Sequence, residues 1–168
     1  YDATWGAIER LHDDLGIGAR ALTVSTVGIV PGIRRLATES LPVNLAVSLH
    51  AANDELRNDL VPINKRYPLA DLEAACALWQ EAKGRRLSFE WAMIAGINDR
   101  PPDADELAAI AHRQRAHVNL IPLNPIPNSP FQPTSAEDTQ RFAQILDQAG
   151  VSTTVRLRRG IEINAGCG

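Results

Sequence analysis

Two cysteines in 168 residues, Cys76 and Cys167, are too few for a disulfide framework, so each is read as a thiol. No apolar run approaches the roughly 20 residues needed to cross a bilayer. Nor does a basic segment precede an apolar stretch and a small-residue cleavage site, the pattern of an export signal. A cytoplasmic location without a membrane partner is expected. Excess positive charge is missing too. The formal net charge is -3 and the pI is near 5.8, which excludes a protein that holds nucleic acid mainly by bulk electrostatics. The common catalytic signatures GxGxxG, P-loop, HExxH and GxSxG do not occur, and no His, Cys, Asp or Glu cluster has metal-ligand spacing. No metal ligand is therefore expected within the chain.

What is present is ordinary for a globular domain, with 45% hydrophobic and 22% charged residues and enough length to bury a core. Five short β-type runs can be read, at 21–26, 44–49, 86–94, 117–123 and 152–158. Between them lie stretches whose apolar residues recur at three and four positions, such as Leu69, Leu72, Cys76 and Trp79, or Phe142, Ile145, Leu146 and Ala149. Residues 1–15, with Ile8, Leu11 and Leu15 on one face, read as a further helix before Gly16. Asp103 with Glu106 and Ser135 with Asp138 read as N-terminal caps, and Gly84 and Gly150 as stops.

The resulting order is αβαβαβαβαβ, which implies an α/β fold with parallel strands and right-handed crossovers. Leu45-Ala46-Val47 and Leu120-Ile121 are apolar without alternation, as expected when both faces of a sheet are covered. In the last strand Thr154, Arg156 and Arg158 alternate with Val155 and Leu157, which predicts one wet face. An open doubly wound sheet and part of a β/α barrel both fit.

The strand ends are polar. The first run leads into Ser25-Thr26-Val27-Gly28, the second into Ser48-Leu49-His50, and the fourth into Asn124 before a proline. In a β/α barrel these would gather at the C-terminal mouth, where chemistry collects. A hydroxyl, a hydroxyl with an imidazole, and a carboxamide suit a small polar ligand. Each taken singly also reads as an ordinary loop or turn residue.

The segment Val155-Arg156-Leu157-Arg158-Arg159-Gly160 is the one dense positive stretch near a reactive residue, and reads either as a phosphate contact or as edge-strand charge. Arg85-Arg86 and the stretch His112 to Arg115 read as solvated surface. Cys76, on the face of Leu72 and Trp79, is expected to be a small buried hydrophobe. Cys167 lies between two glycines in Ala165-Gly166-Cys167-Gly168, with no packing role, and is a candidate nucleophile.

Five collinear stretches resemble the RlmN/Cfr family of radical-SAM RNA methyltransferases, and within it the RlmN branch. They are Thr23-Val24-Ser25-Thr26-Val27-Gly28-Ile29-Val30-Pro31, Leu45-Ala46-Val47-Ser48-Leu49-His50-Ala51, Val61-Pro62-Ile63-Asn64-Lys65, Asn119-Leu120-Ile121-Pro122-Leu123-Asn124-Pro125, and Arg158 through the Ala-Gly-Cys-Gly ending at Gly168. The resemblance runs from Tyr1 to Gly168.

The resemblance implies parallel β/α repeats forming the C-terminal part of a partial TIM-like, radical-SAM barrel. S-adenosylmethionine and a [4Fe-4S] cluster would meet at its mouth, with Ser25, Ser48, Leu49, His50 and Asn124 at the cofactor-contacting positions. Cys167 matches the cysteine that carries the methyl group to C2 of an adenine in 23S ribosomal RNA and, in the RlmN branch, tRNA. That carbon is electrophilic, so direct displacement on S-adenosylmethionine cannot methylate it and a tethered radical can.

An electron donor such as flavodoxin or ferredoxin, and a monomeric state, are further implications. The family's CxxxCxxC motif, resolving cysteine, Gly-Glu-Pro motif and N-terminal RNA-binding domain would lie upstream of the position matching Tyr1. Residues 1–168 are therefore expected to be the C-terminal portion of a longer protein, inactive alone. Two alternatives stay open: a different radical-SAM enzyme, such as a methylthiotransferase-like protein, and a non-catalytic β/α module that binds RNA or a partner.

Overall fold

A computed structural model of the chain describes residues 1–124 and 129–156. The elements in order are helix α1 (Asp2–Asp13), strand β1 (Thr23–Thr26), α2 (Val30–Thr38), β2 (Asn44–Ser48), α3 (Asp54–Leu60), α4 (Leu69–Lys83), β3 (Leu87–Met93), α5 (Pro101–Arg113), β4 (His117–Pro122), α6 (Ala136–Gln148) and β5 (Thr153–Val155). All five expected strands are present. The short α3 was not foreseen, because its seven residues are too few to show a helical period. Asn53 caps it, accepting from the Leu56 amide at 2.9 Å.

The strands pair in parallel in the order β1-β2-β3-β4-β5. That order chooses between the two architectures. Successive right-handed crossovers that never reverse direction place every helix on one side, whereas a doubly wound sheet needs a reversal. One apolar cluster accordingly unites Trp5 and Ile8 of α1, Ile33 of α2, Trp79 of α4, Leu107 of α5 and Phe142 of α6. On the sheet it takes Leu45, Val47, Leu87, Phe89, Trp91, Val118 and Leu120. The chain is thus an α/β partial barrel, with helices outside and a second strand face turned inward.

Ala46 and Ile121 are buried on the inner side of the sheet, while Leu45, Val47 and Leu120 join the helix-side core, so both faces of these runs are covered and only the outer one by helices. Those runs looked continuous because small or apolar residues also line the inner face. Three expectations are corrected. Leu15 is 69% exposed and lies beyond the end of α1, whose buried face is Trp5 and Ile8. Asp103 is not the cap of α5: the helix starts at Pro101, and Asp103 is its third residue, accepting from the Arg100 amide at 3.0 Å and pairing with the Arg100 guanidinium. In β5, Val155 is 41% exposed, so both sides of this edge strand meet solvent among the described residues.

Candidate functional site: the concave face of the sheet

Alternate residues of each strand point inward and line a cavity of about 740 Å3. This lies within the range of about 300–1,000 Å3 common for small-molecule sites. Register stacks the inward side chains in rows. Ser48 of β2, Glu90 of β3, Asn119 of β4 and Thr154 of β5 form one row. His50, Ala92 and Arg156 line the cavity nearer the C-terminal mouth.

Ser25, Ser48, His50 and Asn124, drawn from the ends of three strands, all line this cavity. Asn124 is 1% exposed, just past β4. Leu49 behaves differently. Its side chain is 1% exposed in the helix-side core, its amide donates to the Glu90 carbonyl, and its carbonyl accepts from Arg57. Alternation along the strand end sends Ser48 and His50 inward and Leu49 outward. Thr26 is likewise structural: its hydroxyl accepts from the amides of Gly28 and Ile29, forming the turn that enters α2.

His50 has φ of 60°, in the left-handed region that residues other than glycine seldom adopt. Its Nδ1 accepts from the Ala92 amide at 3.0 Å. Burial, with the Arg57 charge adding to it, lowers its pKa from 6.5 to about 4, so the ring is neutral near pH 7. A backbone N–H can only donate, which leaves Nδ1 bare and the proton on Nε2. His50 therefore offers the cavity one fixed donor.

Arg57 supports this rim from behind. It is 0% exposed and donates to the carbonyls of Leu49 (3.0 Å), Ser48 (3.2 Å) and Val27 (2.9 Å), and to Asn64 Oδ1 (2.7 Å). Asn64 in turn donates to Asp54 and Asn58. A single guanidinium thus ties together the loops that leave β1 and β2. The Val61-Pro62-Ile63-Asn64-Lys65 stretch singled out in the sequence supplies this support and does not line the cavity.

Sequence reading missed the middle of the inner face. Glu90 accepts from Asn119 at 2.7 Å and from Ser88 at 3.3 Å, and lies 3.6 Å from Arg156. His117 exchanges hydrogen bonds with Ser152 and Thr154, and burial, with Arg86 nearby, lowers its pKa. The available signal was the period of two in Ser88, Glu90, Ala92 and in His117, Asn119, Ile121. Arg156, left open between phosphate contact and edge charge, is paired with Glu90. Arg113 pairs with Glu73 on the surface, and Arg85 donates to Asn44, while Arg86 lines the cavity.

Cys76 is fully buried on α4, and burial pushes its thiol up to about 12. It is inert, as its helical position implied. Cys167 and the arginines at 158 and 159 lie outside the described residues. Among the described residues no group of three His, Cys, Asp or Glu side chains could hold a metal, so an iron–sulfur cluster has no ligands there. The neutral donors and acceptors of the rim, with the Glu90 carboxylate level with Ser48 among them, do fit S-adenosylmethionine, a small molecule carrying hydroxyl, carboxylate and ammonium groups. Among the described residues no helix is long and apolar enough to cross a membrane.

No protein-family model matches the chain. Curated relatives do. The chain is 49% identical over its full length to a probable dual-specificity RNA methyltransferase RlmN of Roseiflexus sp. (strain RS-1), and 54% identical over its full length to one of Parafrankia sp. (strain EAN1pec). It spans 45% of each of these proteins. Among solved structures, a radical SAM methyltransferase from Sphaerobacter thermophilus superposes with a TM-score of 0.95 at 50% identity, covering all of this chain and 50% of that one. A domain of pyruvate-formate lyase-activating enzyme from Bacteroides vulgatus shares the fold, with a TM-score of 0.63 at 18% identity. Full-length likeness in sequence and in backbone coincides with the inward polar rim: over its whole length the chain is similar to RlmN-type radical SAM methyltransferases, and it spans a little under half of its curated relatives' length.

Proposed function

We propose that this chain is the C-terminal portion of the radical-SAM core of a longer enzyme that methylates C2 of an adenine in 23S ribosomal RNA and in tRNA. The observation that carries the reading is the convergence of Ser25, Ser48, His50 and Asn124 on one cavity at the mouth of a partial barrel. S-adenosylmethionine, when bound, supplies both the methyl group and the radical chemistry. The chain's own residues hold it. Ser25 and Ser48 offer hydroxyls, His50 a fixed Nε2–H, and Asn124 a carboxamide. The side chain of Leu49 takes no part, and its place is to hold the rim in register with β3.

Cys167 is the residue we propose carries the methyl group between cofactor and RNA. Its support is the match of its Ala-Gly-Cys-Gly setting to the family and the names of the relatives, which are dual-specificity RNA methyltransferases. The cluster ligands, the RNA-binding region and the reductant's docking site are assigned to the rest of the longer protein. A monomeric cytoplasmic enzyme fed by flavodoxin or ferredoxin completes the reading.

The test uses the full-length protein, purified with its cluster and supplied with S-adenosylmethionine. Intact-mass and peptide mapping should find Cys167 one methylene heavier. Cys167→Ala should abolish RNA methylation while S-adenosylmethionine cleavage continues. An unmodified Cys167 with methylation intact would remove the residue from the mechanism. A methylthiolated product would favour the other radical-SAM reading, and absence of both cofactor binding and turnover would favour a non-catalytic module.

A further inference from the structure

Asn98 is 0% exposed in the turn after β3, and the cofactor reading makes no use of it. Its Nδ2 donates to the carbonyls of His50 and Ala92, both at 2.8 Å, and its Oδ1 accepts from the Ile94 amide at 2.8 Å. Its own carbonyl accepts from Trp91 Nε1 at 3.1 Å, which anchors the residue into the helix-side core. The Ala92 amide meanwhile donates to His50 Nδ1. One peptide neighbourhood of β3 therefore grips His50 twice, through its ring and, by way of Asn98, through its carbonyl.

The grip falls where the backbone needs it. His50 holds φ of 60°, an unfavourable conformation for a residue with a Cβ unless surrounding contacts impose it. The two preceding carbonyls, of Ser48 and Leu49, are taken by Arg57. Three consecutive carbonyls at the end of β2 are thus each held by a fully buried polar side chain. Of the two side chains, Asn98 alone links the His50 peptide to β3, the strand that fixes the imidazole. Freed from it, His50 could relax to negative φ, and the ring would leave the Ala92 amide.

We propose that Asn98 is a positioning residue for His50, locking the left-handed backbone and the single tautomer that present Nε2–H to a cofactor on the concave face. The inference rests on the reading of that face as the S-adenosylmethionine site. Asn98 touches no part of the cavity itself and acts through the histidine.

A double-mutant cycle on the full-length protein tests it, with the dissociation constant for S-adenosylmethionine measured by equilibrium dialysis and referred to the folded fraction. His50→Asn keeps a side chain that tolerates left-handed backbone and can still meet the Ala92 amide, but withdraws the Nε2 donor. Asn98→Ala should weaken binding about tenfold, the lower end of the loss found when groups that orient a metal-ligating histidine are removed. The double variant should bind no more weakly than His50→Asn alone. If Asn98→Ala does not fold, Asn98→Ser, which keeps a small polar group for the Ile94 amide, enters the cycle in its place. Additive losses would overturn the inference while leaving the site reading intact. Wild-type affinity in His50→Asn would remove His50 from the site, and the inference with it.

Discussion

Asn119 Nδ2 donates to Glu90 Oε1 at 2.7 Å, across the point where β3 and β4 bring these two residues into register. The pair sits in the same row as Ser48, so Glu90, the one acidic side chain lining the cavity among the described residues, is held level with that hydroxyl and one row below His50. Its other oxygen faces Arg156 at 3.6 Å, a loose ion pair with a half-exposed arginine that contributes less than about 1 kcal/mol to stability.

Glu90→Gln keeps an acceptor for Asn119 and removes the charge. Denaturant unfolding should shift by no more than about 1 kcal/mol. Affinity for S-adenosylmethionine, which carries a positive sulfonium, should fall by about fivefold to tenfold, and its salt dependence should lessen. Unchanged affinity in dialysis at low and high salt would place the ligand away from this row.

Among the described residues no carboxylate is in hydrogen-bond contact with the buried Arg57, and its value lies in the four acceptors it satisfies. Arg57→Met should cost about 3 kcal/mol or more, because three main-chain carbonyls lose their donor in a buried setting. Arg57→Lys should recover only part of that loss, since an ammonium cannot copy the planar fork. Urea unfolding of the two variants checks both statements, and full rescue by lysine would contradict them.

Gly28 stands at φ of 103°, and a Cβ there would meet Arg57 Nη2 at 3.1 Å and Leu72 at 3.4 Å. Gly28→Ala should therefore lose about 1–3 kcal/mol in thermal or urea unfolding, through backbone strain and displacement of the same guanidinium. A neutral substitution would show that the Arg57 clamp has slack.

His50 links stability to pH. Its folded value of about 4 lies below the ordinary 6.5, so between those values the unfolded chain binds a proton that the folded chain does not. Stability is whole above about pH 6.5 and falls as pH drops toward 4, at a slope approaching about 1.4 kcal/mol per pH unit. His117, also lowered, acts with the same sign. Unfolding curves at a series of pH values should show the slope, and His50→Asn should flatten it.

Much of this was legible in the residues. Apolar runs and helical spacing located all five strands and the long helices, and polar strand ends located the rim, because hydrophobic period and chain direction are local properties. The inner row of Glu90 and Asn119 escaped notice, since a polar residue at every second position of a strand reads as solvent-facing until strand order shows that all helices lie on the other side. Arg57 and Asn98 were invisible for a different reason. Within Asp54-Glu55-Leu56-Arg57 and Ile97-Asn98-Asp99-Arg100 they look like surface charge and turn chemistry, and only tertiary contacts reveal that both are fully buried. Leu49 shows the reverse case: its neighbours Ser48 and His50 line the cavity, yet strand alternation turns its own side chain away from it.

A crystal structure of the full-length protein with S-adenosylmethionine tests the central claim most directly. The account predicts the ligand on the concave face, with His50 Nε2 donating to it and with Ser25, Ser48 and Asn124 in hydrogen-bond reach. Ligand density on the helix side of the sheet, or on the concave face with His50 turned away from it, would contradict the account.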